Sequence, residues 1–203
     1  SKVEMAKVTG YALSAFADYF EKNSPNLLVV LGDRFEIFAA AAAAAILGIT
    51  TAHISGGDIT QGTLDDTFRH CITKMSILHF AGCAESAHRI IQLGENPKRV
   101  FNVGEPGVEN CLTVYPVSIS ELESYLDFNI TNKPYSIVTF HPATMEENSP
   151  KAQVYELIHA IEKFPDMNFI ITKANADAGG VGINRIWEKE EKVHPNWLLI
   201  SSL

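Results

Sequence analysis

The sequence predicts an α/β protein built from two Rossmann-like parallel-sheet domains. Apolar runs of strand length alternate with segments of helical period, which is the pattern of parallel strands joined by crossover helices. Between residues 107 and 134 this alternation is interrupted by two short helical pieces among polar and proline-containing segments. We therefore expect the latter part of an N-terminal domain over residues 1–115, a linker over residues 116–134, and the first part of a C-terminal domain over residues 135–203.

The first domain is predicted to alternate helices with four strands. Residues 4–22 place apolar side chains at helical period, and "LLVVLG" is a continuous apolar run typical of a parallel strand covered on both faces. The segment "DRFEIFAAAAAAAIL" predicts an alanine-rich packing helix that ends at Gly48. Three more strands are predicted at "ITTAHIS", "ILHFAGC" and "RVFNVGEP", and helices separate them at "LDDTFRHCITKMS" and "ESAHRIIQLG".

The second domain is predicted to resume the same alternation. Strands are expected at "YSIVTFHP", "MNFIITKAN" and "NWLLISSL", with helices between them at "AQVYELIHAIEKF" and "VGINRIWEKEEK". The chain opens at a serine that leads directly into a helical pattern, and it stops inside an apolar strand. These two details predict that the sequence is a fragment of a longer protein.

The charge and hydropathy of the chain argue against several classes of protein. A formal net charge of -8, with a pI of about 5.3 and no basic stripe, is unsuited to nucleic-acid binding. The longest apolar stretch, "IFAAAAAAAILGITTA", is too short and too rich in alanine for a bilayer span, so we expect a cytoplasmic protein without a membrane partner. Cys71, Cys83 and Cys111 lack metal-ligand spacing and are predicted to be reduced thiols, with no metal site.

No cofactor is predicted from the motifs. The segment "TKANADAGG" lacks the G-x-G-x-x-G spacing of a dinucleotide fingerprint, and no Walker A lysine motif occurs. A small anionic ligand is still compatible with the sequence, because backbone N–H groups and a few arginines can bind one locally.

Polar side chains collect where the predicted strands end, which is where open α/β sheets bind their ligands. Successive strand ends carry Asp33 and Arg34; Ser55, Gly56, Gly57 and Asp58; Glu105; His141; and Lys173, Asn175 and Asp177. The glycines of the second group would let a backbone approach a bulky ligand or move on binding. We therefore predict an active-site loop within "HISGGDITQGTLDDTFRH".

One predicted helix adds ionisable groups to these strand ends. Asp65 and Asp66 lie near its start, where the helix dipole favours negative charge, and Arg69 and His70 follow one turn later. Positioned carboxylates can remove a proton from carbon, and a cation can compensate the charge of a departing phosphate. Taken alone, Asp33 is more simply explained as a helix cap, and Asp58 or Thr63 could equally order a turn or begin a helix. His79 is predicted to be a hydrogen-bonded core histidine.

Five segments together resemble one family. In order, "LGDRFE", "HISGGDITQGTLDDTFRHCITKMSILHF", "NVGEPGVEN", "FHPAT" and "TKANADAGG" are similar to the hydrolysing UDP-N-acetylglucosamine 2-epimerases of bacterial sialic-acid and legionaminic-acid synthesis. The resemblance implies a two-domain fold of the GT-B type. It also implies anti elimination of UDP from the sugar through a glycal, and then addition of water with inversion at C2. The products would be free N-acetylmannosamine and UDP.

The resemblance also implies roles for individual residues. Asp33 and Asp65 match the best acid/base positions, and Arg69 and His70 would support them. His141 would face the diphosphate or leaving group. The remaining substrate-binding candidates are Arg34, Ser55, Gly56, Gly57, Asp66, Glu105, Lys173, Asn175 and Asp177, and the last three would shape the nucleotide side of the site. A homo-oligomer, dimer or tetramer, is expected for the full-length protein.

The chain departs from the family pattern at one place. Relatives commonly have a glutamate in or just after the "H-I-x-G-G-x" segment, where this chain has Ser55 and Asp58. Serine cannot act as a carboxylate base, so Asp58 is the candidate replacement, with a shorter reach. Four alternatives stay open: another 2-acetamido sugar, a non-hydrolysing 2-epimerase, a glycosyltransferase of the same architecture, and an inactive fragment that serves subunit contact.

Overall fold

The computed structural model describes residues 2–141, 149–175 and 179–201. They form two compact units, Ser1–Val114 and Tyr115–Leu203. Each unit is an α/β structure with its own parallel sheet, and the alternation of helices and strands predicted from the sequence is confirmed.

The first unit contains four parallel strands in the order β1-β2-β3-β4. Its elements are α1 (Lys2–Asn23), β1 (Leu27–Leu31), α2 (Phe35–Ile46), β2 (Thr50–Ile54), α3 (Leu64–Met75), β3 (Leu78–Ala81), α4 (Ala84–Gln92), β4 (Val100–Asn102) and α5 (Pro106–Thr113). Because all four strands run in the same direction, the polar segments that follow them lie at one edge of the sheet.

The alanine helix α2 is the packing centre of this unit. Five of its alanines, Ala39, Ala40, Ala41, Ala43 and Ala44, are buried. Their small side chains let α2 pack against α1 and α3 while also contacting β1 and β2. The opposite side of β1 is different, because Leu27, Val29 and Leu31 alternate along the strand and remain exposed.

The second unit contains three parallel strands in the order β5-β6-β7. Its elements are α6 (Ile119–Leu126), β5 (Tyr135–Thr139), α7 (Pro150–Ile161), β6 (Asn168–Thr172), α8 (Gly180–Glu190) and β7 (Trp197–Ile200). Buried aliphatic residues of α7 and β6 pack with Trp187 and Trp197, whose rings meet edge to face with centroids 6.0 Å apart.

The segment predicted as a linker contains ordered structure. Helix α6 begins with a capping box, in which Ser118 accepts from the backbone of Glu121 and the glutamate accepts in return from the backbone of Ser118. Farther along, Ile130 is buried, and the Asn168 amide donates to its carbonyl oxygen at 3.2 Å. These contacts attach residues 118–130 to the second unit. Among the described helices, none is both long and apolar enough to cross a membrane.

Candidate active site

Asp33 follows the end of β1 and forms an ion pair with Arg69 of α3. Gly32 has a φ of 79°, a conformation that favours glycine, and it turns the chain so that Asp33 lies at the carboxyl edge of the sheet. The Asp33 carboxylate accepts from Nη2 of Arg69, which also donates to Thr60 Oγ1 at 3.0 Å. The residue that caps α2 is Arg34, and it makes no side-chain cap bond, so the interpretation of Asp33 as a helix cap is wrong.

The start of α3 brings a second carboxylate toward the same guanidinium. Thr63 is the N-cap, and its hydroxyl accepts from the backbone of Asp66 at 3.4 Å, so the prediction that Thr63 begins a helix is confirmed. Asp65 lies in the first turn, four residues before Arg69, and residues at this spacing occupy the same helix face. Oδ1 of the next residue, Asp66, lies 3.8 Å from Nη1 of Arg69, so Asp33 and Asp66 approach this guanidinium from two different elements.

Asp66 orders the loop that precedes α3. Its carboxylate accepts from the backbone of Thr60 at 2.8 Å, and its other oxygen lies 3.8 Å from Nε2 of His70. Asp66 and His70 also border a cavity of about 570 Å³ on α3, which Phe38, Thr67, Cys71, Lys74, Met75 and Leu93 complete. Asp66 thus connects the Arg69 ion pair with this cavity.

His53 is a buried residue of the site that the sequence interpretation missed. It lies in β2, and its Nε2 donates to the carbonyl oxygen of Gly32 at 2.8 Å, while Nδ1 accepts from Thr73 Oγ1 at 3.1 Å. Burial lowers the pKa of His53 from 6.5 to about 4, so the ring is neutral near pH 7. His53 therefore joins β2 and α3 to the turn that carries Asp33.

The two glycines after β2 pack tightly against neighbouring helices. Gly56 and Gly57 are both buried, and Gly57 has a φ of 85°. A side chain at Gly56 would meet His53 and Thr73, and one at Gly57 would meet the backbone of Ser86 in α4. Close packing explains these glycines without a ligand, and their predicted contact with substrate stays a prediction.

Asp58 and Ser55 each have a partner from a distant part of the chain. The Asp58 carboxylate accepts from the hydroxyl of Ser86, and Arg89 donates to the carbonyl oxygen of Gly57, so α4 holds this side of the loop. The Ser55 hydroxyl donates to Oε2 of Glu105, which follows β4, at 2.9 Å. The structure thus brings the predicted residues of β2 and β4 into contact.

Arg34 makes local contacts at the start of α2. Its Nε lies 3.3 Å from Oε2 of Glu36, and its guanidinium carbon lies 5.7 Å from the centroid of the Phe35 ring. At this exposed position such an ion pair contributes little to stability. The predicted role of Arg34 in substrate binding stays a prediction.

The second unit carries the remaining candidates at the ends of β5 and β6. Nδ1 of His141 accepts a long hydrogen bond, 3.5 Å, from the backbone N–H of Asn175, which leaves Nε2 as the ring nitrogen available for another contact. Lys173 donates to Oε1 of Glu188 at 2.7 Å and lowers the pKa of that carboxyl. Asp177 lies outside the described residues.

Other side chains of the site also could not be assigned from sequence alone. Thr60, Ser86 and Arg89 are ordinary loop or helix residues until their partners are known. His53 did carry a signal, because it is an ionisable residue inside an otherwise uncharged strand. Within the described ranges, no group of three or more His, Cys, Asp or Glu side chains is arranged to hold a metal ion.

Comparison with known proteins places the chain in a family. A family model described as UDP-N-acetylglucosamine 2-epimerase matches residues 1–203. The chain is 42% identical over 174 residues to polysialic acid biosynthesis protein P7 of Escherichia coli, which covers 85% of this chain and 44% of that protein. It is 35% identical over 185 residues to GDP/UDP-N,N'-diacetylbacillosamine 2-epimerase (hydrolyzing) of Campylobacter jejuni, which covers 91% and 48% respectively.

A solved structure has the same fold. The UDP-GlcNAc 2-epimerase of Neisseria meningitidis, bound to UDP-GlcNAc, aligns with a TM-score of 0.76 at 19% identity, over 98% of this chain and 55% of that one. The predicted fold class, two Rossmann-like parallel-sheet units of the GT-B type, is confirmed. The chain spans about half the length of the curated relatives it matches. It belongs to the UDP-N-acetylglucosamine 2-epimerase family.

Proposed function

We propose that the protein is a hydrolysing 2-epimerase, which converts a UDP-linked 2-acetamido sugar and water into the free 2-epimer and UDP. UDP-N-acetylglucosamine is the first candidate substrate, with N-acetylmannosamine as the product. The family membership supports the epimerase class, and the Campylobacter jejuni relative is named as hydrolyzing.

The observation that carries the proposal is the ion pair of Asp33 with Arg69, whose Nη1 also lies 3.8 Å from Oδ1 of Asp66, the neighbour of Asp65 in the first turn of α3. The Arg69 side chain is 9% exposed, and its Nη1 is buried without a hydrogen-bond partner in the described part of the chain. A buried guanidinium between two carboxylates compensates their charges and holds them in place. This arrangement suits a reaction that needs two acid/base groups acting in turn on one carbon.

The first step of the proposed reaction is elimination. Asp33 or Asp65 takes the proton from C2, the electrons of that C–H bond form a C1–C2 double bond, and the C1–O bond to UDP breaks. UDP leaves with the electron pair of the C1–O bond. Because charge develops on the leaving diphosphate, the step is faster where a nearby cation or hydrogen-bond donor compensates it.

The second step is addition of water to the glycal. The hydroxyl group adds at C1, and a proton is delivered to C2 from the face opposite to the one that lost it. The other of these two aspartates, or Asp58, serves as the acid/base group of this step. The hydrogen bond from Ser86 keeps Asp58 at the carboxyl edge of the first sheet, which supports this assignment.

By the resemblance, we propose nucleotide-binding roles for three residues of the second unit. Because Nδ1 of His141 accepts from Asn175, Nε2 is the ring nitrogen that can donate to a phosphate oxygen. Lys173 adds a positive charge at the end of β6, although Glu188 partly compensates it. We assign these two residues, with Asn175, to the nucleotide side of the reaction.

The test is turnover of UDP-N-acetylglucosamine by the complete protein in heavy water. Release of UDP together with free N-acetylmannosamine carrying deuterium at C2 is the expected result. Intact UDP-sugar with deuterium at C2 would instead identify a non-hydrolysing epimerase. Turnover only after an acceptor sugar is added would identify a glycosyltransferase.

A second candidate substrate is the 2,4-diacetamido-2,4,6-trideoxy sugar N,N'-diacetylbacillosamine, linked to UDP or GDP. The relative that is 35% identical is named for this sugar with either nucleotide. The same heavy-water assay with both nucleotide forms decides between the substrates, and the larger kcat/KM identifies the preferred one. If none of these nucleotide sugars releases its nucleotide, the hydrolysing assignment fails.

A further inference from the structure

Ser55 has an unusual backbone conformation at a critical point of the loop. Its φ is 58°, a left-handed conformation that residues with a side chain adopt rarely. It directly follows β2, and its N–H donates to the carbonyl oxygen of Phe80 in β3 at 2.9 Å. The direction in which the chain leaves the sheet toward Asp58 is therefore set at Ser55.

Glu105 holds the side chain of this serine from another strand end. It is the N-cap residue of α5, but its carboxylate makes no cap bond and accepts from the Ser55 hydroxyl, 50 positions earlier in the chain. The other carboxylate oxygen is buried without a hydrogen-bond partner among the described residues. It lies over Gly82, where any side chain would overlap the carboxylate. Glu105 thus spans the ends of β2, β3 and β4.

The residues that follow Ser55 are each fixed by contacts of their own. Gly56 and Gly57 are buried against His53 and α4, and the Gly57 carbonyl accepts from Arg89. Three residues after Ser55, Asp58 is bonded to Ser86. Since each intervening residue is packed or bonded, a change of backbone direction at Ser55 would displace Asp58.

We propose that Glu105 is a positioning residue, which acts through Ser55 to hold the loop that carries Asp58. This inference rests on the proposed function for its catalytic consequence, since Asp58 is one of the acid/base candidates. Glu105 does not need to touch the sugar.

The test uses the complete protein, four single variants of the contact, one control variant and one double variant. Ser55→Ala and Glu105→Ala remove the hydrogen bond, and Gly82→Ala displaces the carboxylate without changing either partner, because Gly82 has no positive φ. Glu105→Gln keeps an acceptor for the Ser55 hydroxyl. The matched control is Gly107→Ala, where an added methyl group meets nothing within 4 Å.

Hydrogen exchange measures the position of the loop independently of activity. Faster amide exchange over residues 55–63 is expected in Ser55→Ala, Glu105→Ala and Gly82→Ala, and wild-type exchange is expected in Glu105→Gln and the control. With UDP-N-acetylglucosamine, kcat should fall by on the order of 10–100-fold in the first three, because a displacement of about 1 Å can cost about 100-fold. KM should stay within about twofold, and the Ser55→Ala/Glu105→Ala double variant should be no slower than either single variant.

Two results would overturn the inference. Unchanged exchange over residues 55–63 in the three disruptive variants means that Glu105 does not hold the loop. A Glu105→Gln variant as slow as Glu105→Ala, or a raised KM with kcat retained, means that the carboxylate acts on the substrate directly. If the wild-type protein turns over no nucleotide sugar, the proposed function fails, while the exchange experiment still decides the role of Glu105.

Discussion

The role of Asp33 could be assigned only once its partner, Arg69, was known. An aspartate between a strand and a helix most often caps the helix, and the local sequence offered no reason to prefer another role. The partner lies 36 positions later in the chain, beyond the reach of any local pattern. The same holds for Ser55 and Glu105, which the sequence placed at separate strand ends. Candidate residues could thus be predicted, but their pairing could not.

Substitution of Asp33 or Asp65 is expected to reduce turnover with the fold retained. Asp33→Asn and Asp65→Asn should each lower kcat by roughly 10²–10⁴-fold, the usual contribution of an acid/base group. The matched control is Asp18→Asn, at an exposed aspartate of α1, which should behave as wild type. Kinetics with UDP-N-acetylglucosamine and circular dichroism together check this prediction. Wild-type rates in both active-site variants would remove the pair from the mechanism.

At the scale of elements, strands and helices were predictable because their signals are local. Continuous apolar runs identified the strands of both sheets, and glycine or proline marked their ends. Residues 116–134 were predicted as a linker within a polar, proline-containing region that holds two short helical pieces, and α5 and α6 form in that region, α6 with a capping box. Asn168 of β6 then bonds the segment that follows α6. The two partners lie 38 positions apart in the chain, so this contact could not be predicted from local composition.

His53 of β2, which bonds Gly32 in the turn after β1, predicts that the stability of the protein depends on pH. His53 is neutral in the folded protein down to a pKa of about 4, whereas in the unfolded chain it binds a proton near pH 6.5. The unfolded state therefore binds more protons between these values, and stability is lost as the pH falls from 6.5 to 4. The difference corresponds to roughly 3 kcal/mol, at about 1.4 kcal/mol per unit. Burial also lowers the pKa of His79, its neighbour in β3, and acts in the same direction.

Urea unfolding between pH 7.5 and pH 4 measures this effect. His53→Gln should be less stable than wild type at pH 7.5, because the contacts to Gly32 and Thr73 change, but its stability should vary less with pH. His88→Gln is the control, since His88 is exposed on α4, and it should keep the wild-type slope. An identical pH slope in wild type and His53→Gln would contradict the prediction.

At the scale of the whole molecule, the first strand of each sheet departs from the usual burial of parallel strands. Parallel strands are normally covered on both faces. In β1, however, Leu27, Val29 and Leu31 are 44%, 56% and 56% exposed, whereas Val30 on the other face is buried. The first strand of the second unit, β5, repeats the pattern, with Tyr135 and Ile137 exposed. Both units thus present apolar side chains on one face of their first strand.

This bare strip of β1 has a practical consequence for handling the 203-residue chain in solution. An edge strand whose apolar side chains are exposed is a template for self-association. Val29→Lys should raise the fraction that elutes as a monomer from a sizing column, because a charge in the middle of the strip opposes stacking. The comparison is Val3→Lys, on the exposed side of α1, which adds the same charge elsewhere. If both variants raise the monomer fraction equally, the gain comes from net charge. A gain confined to Val29→Lys would identify β1 as the surface through which the chain self-associates.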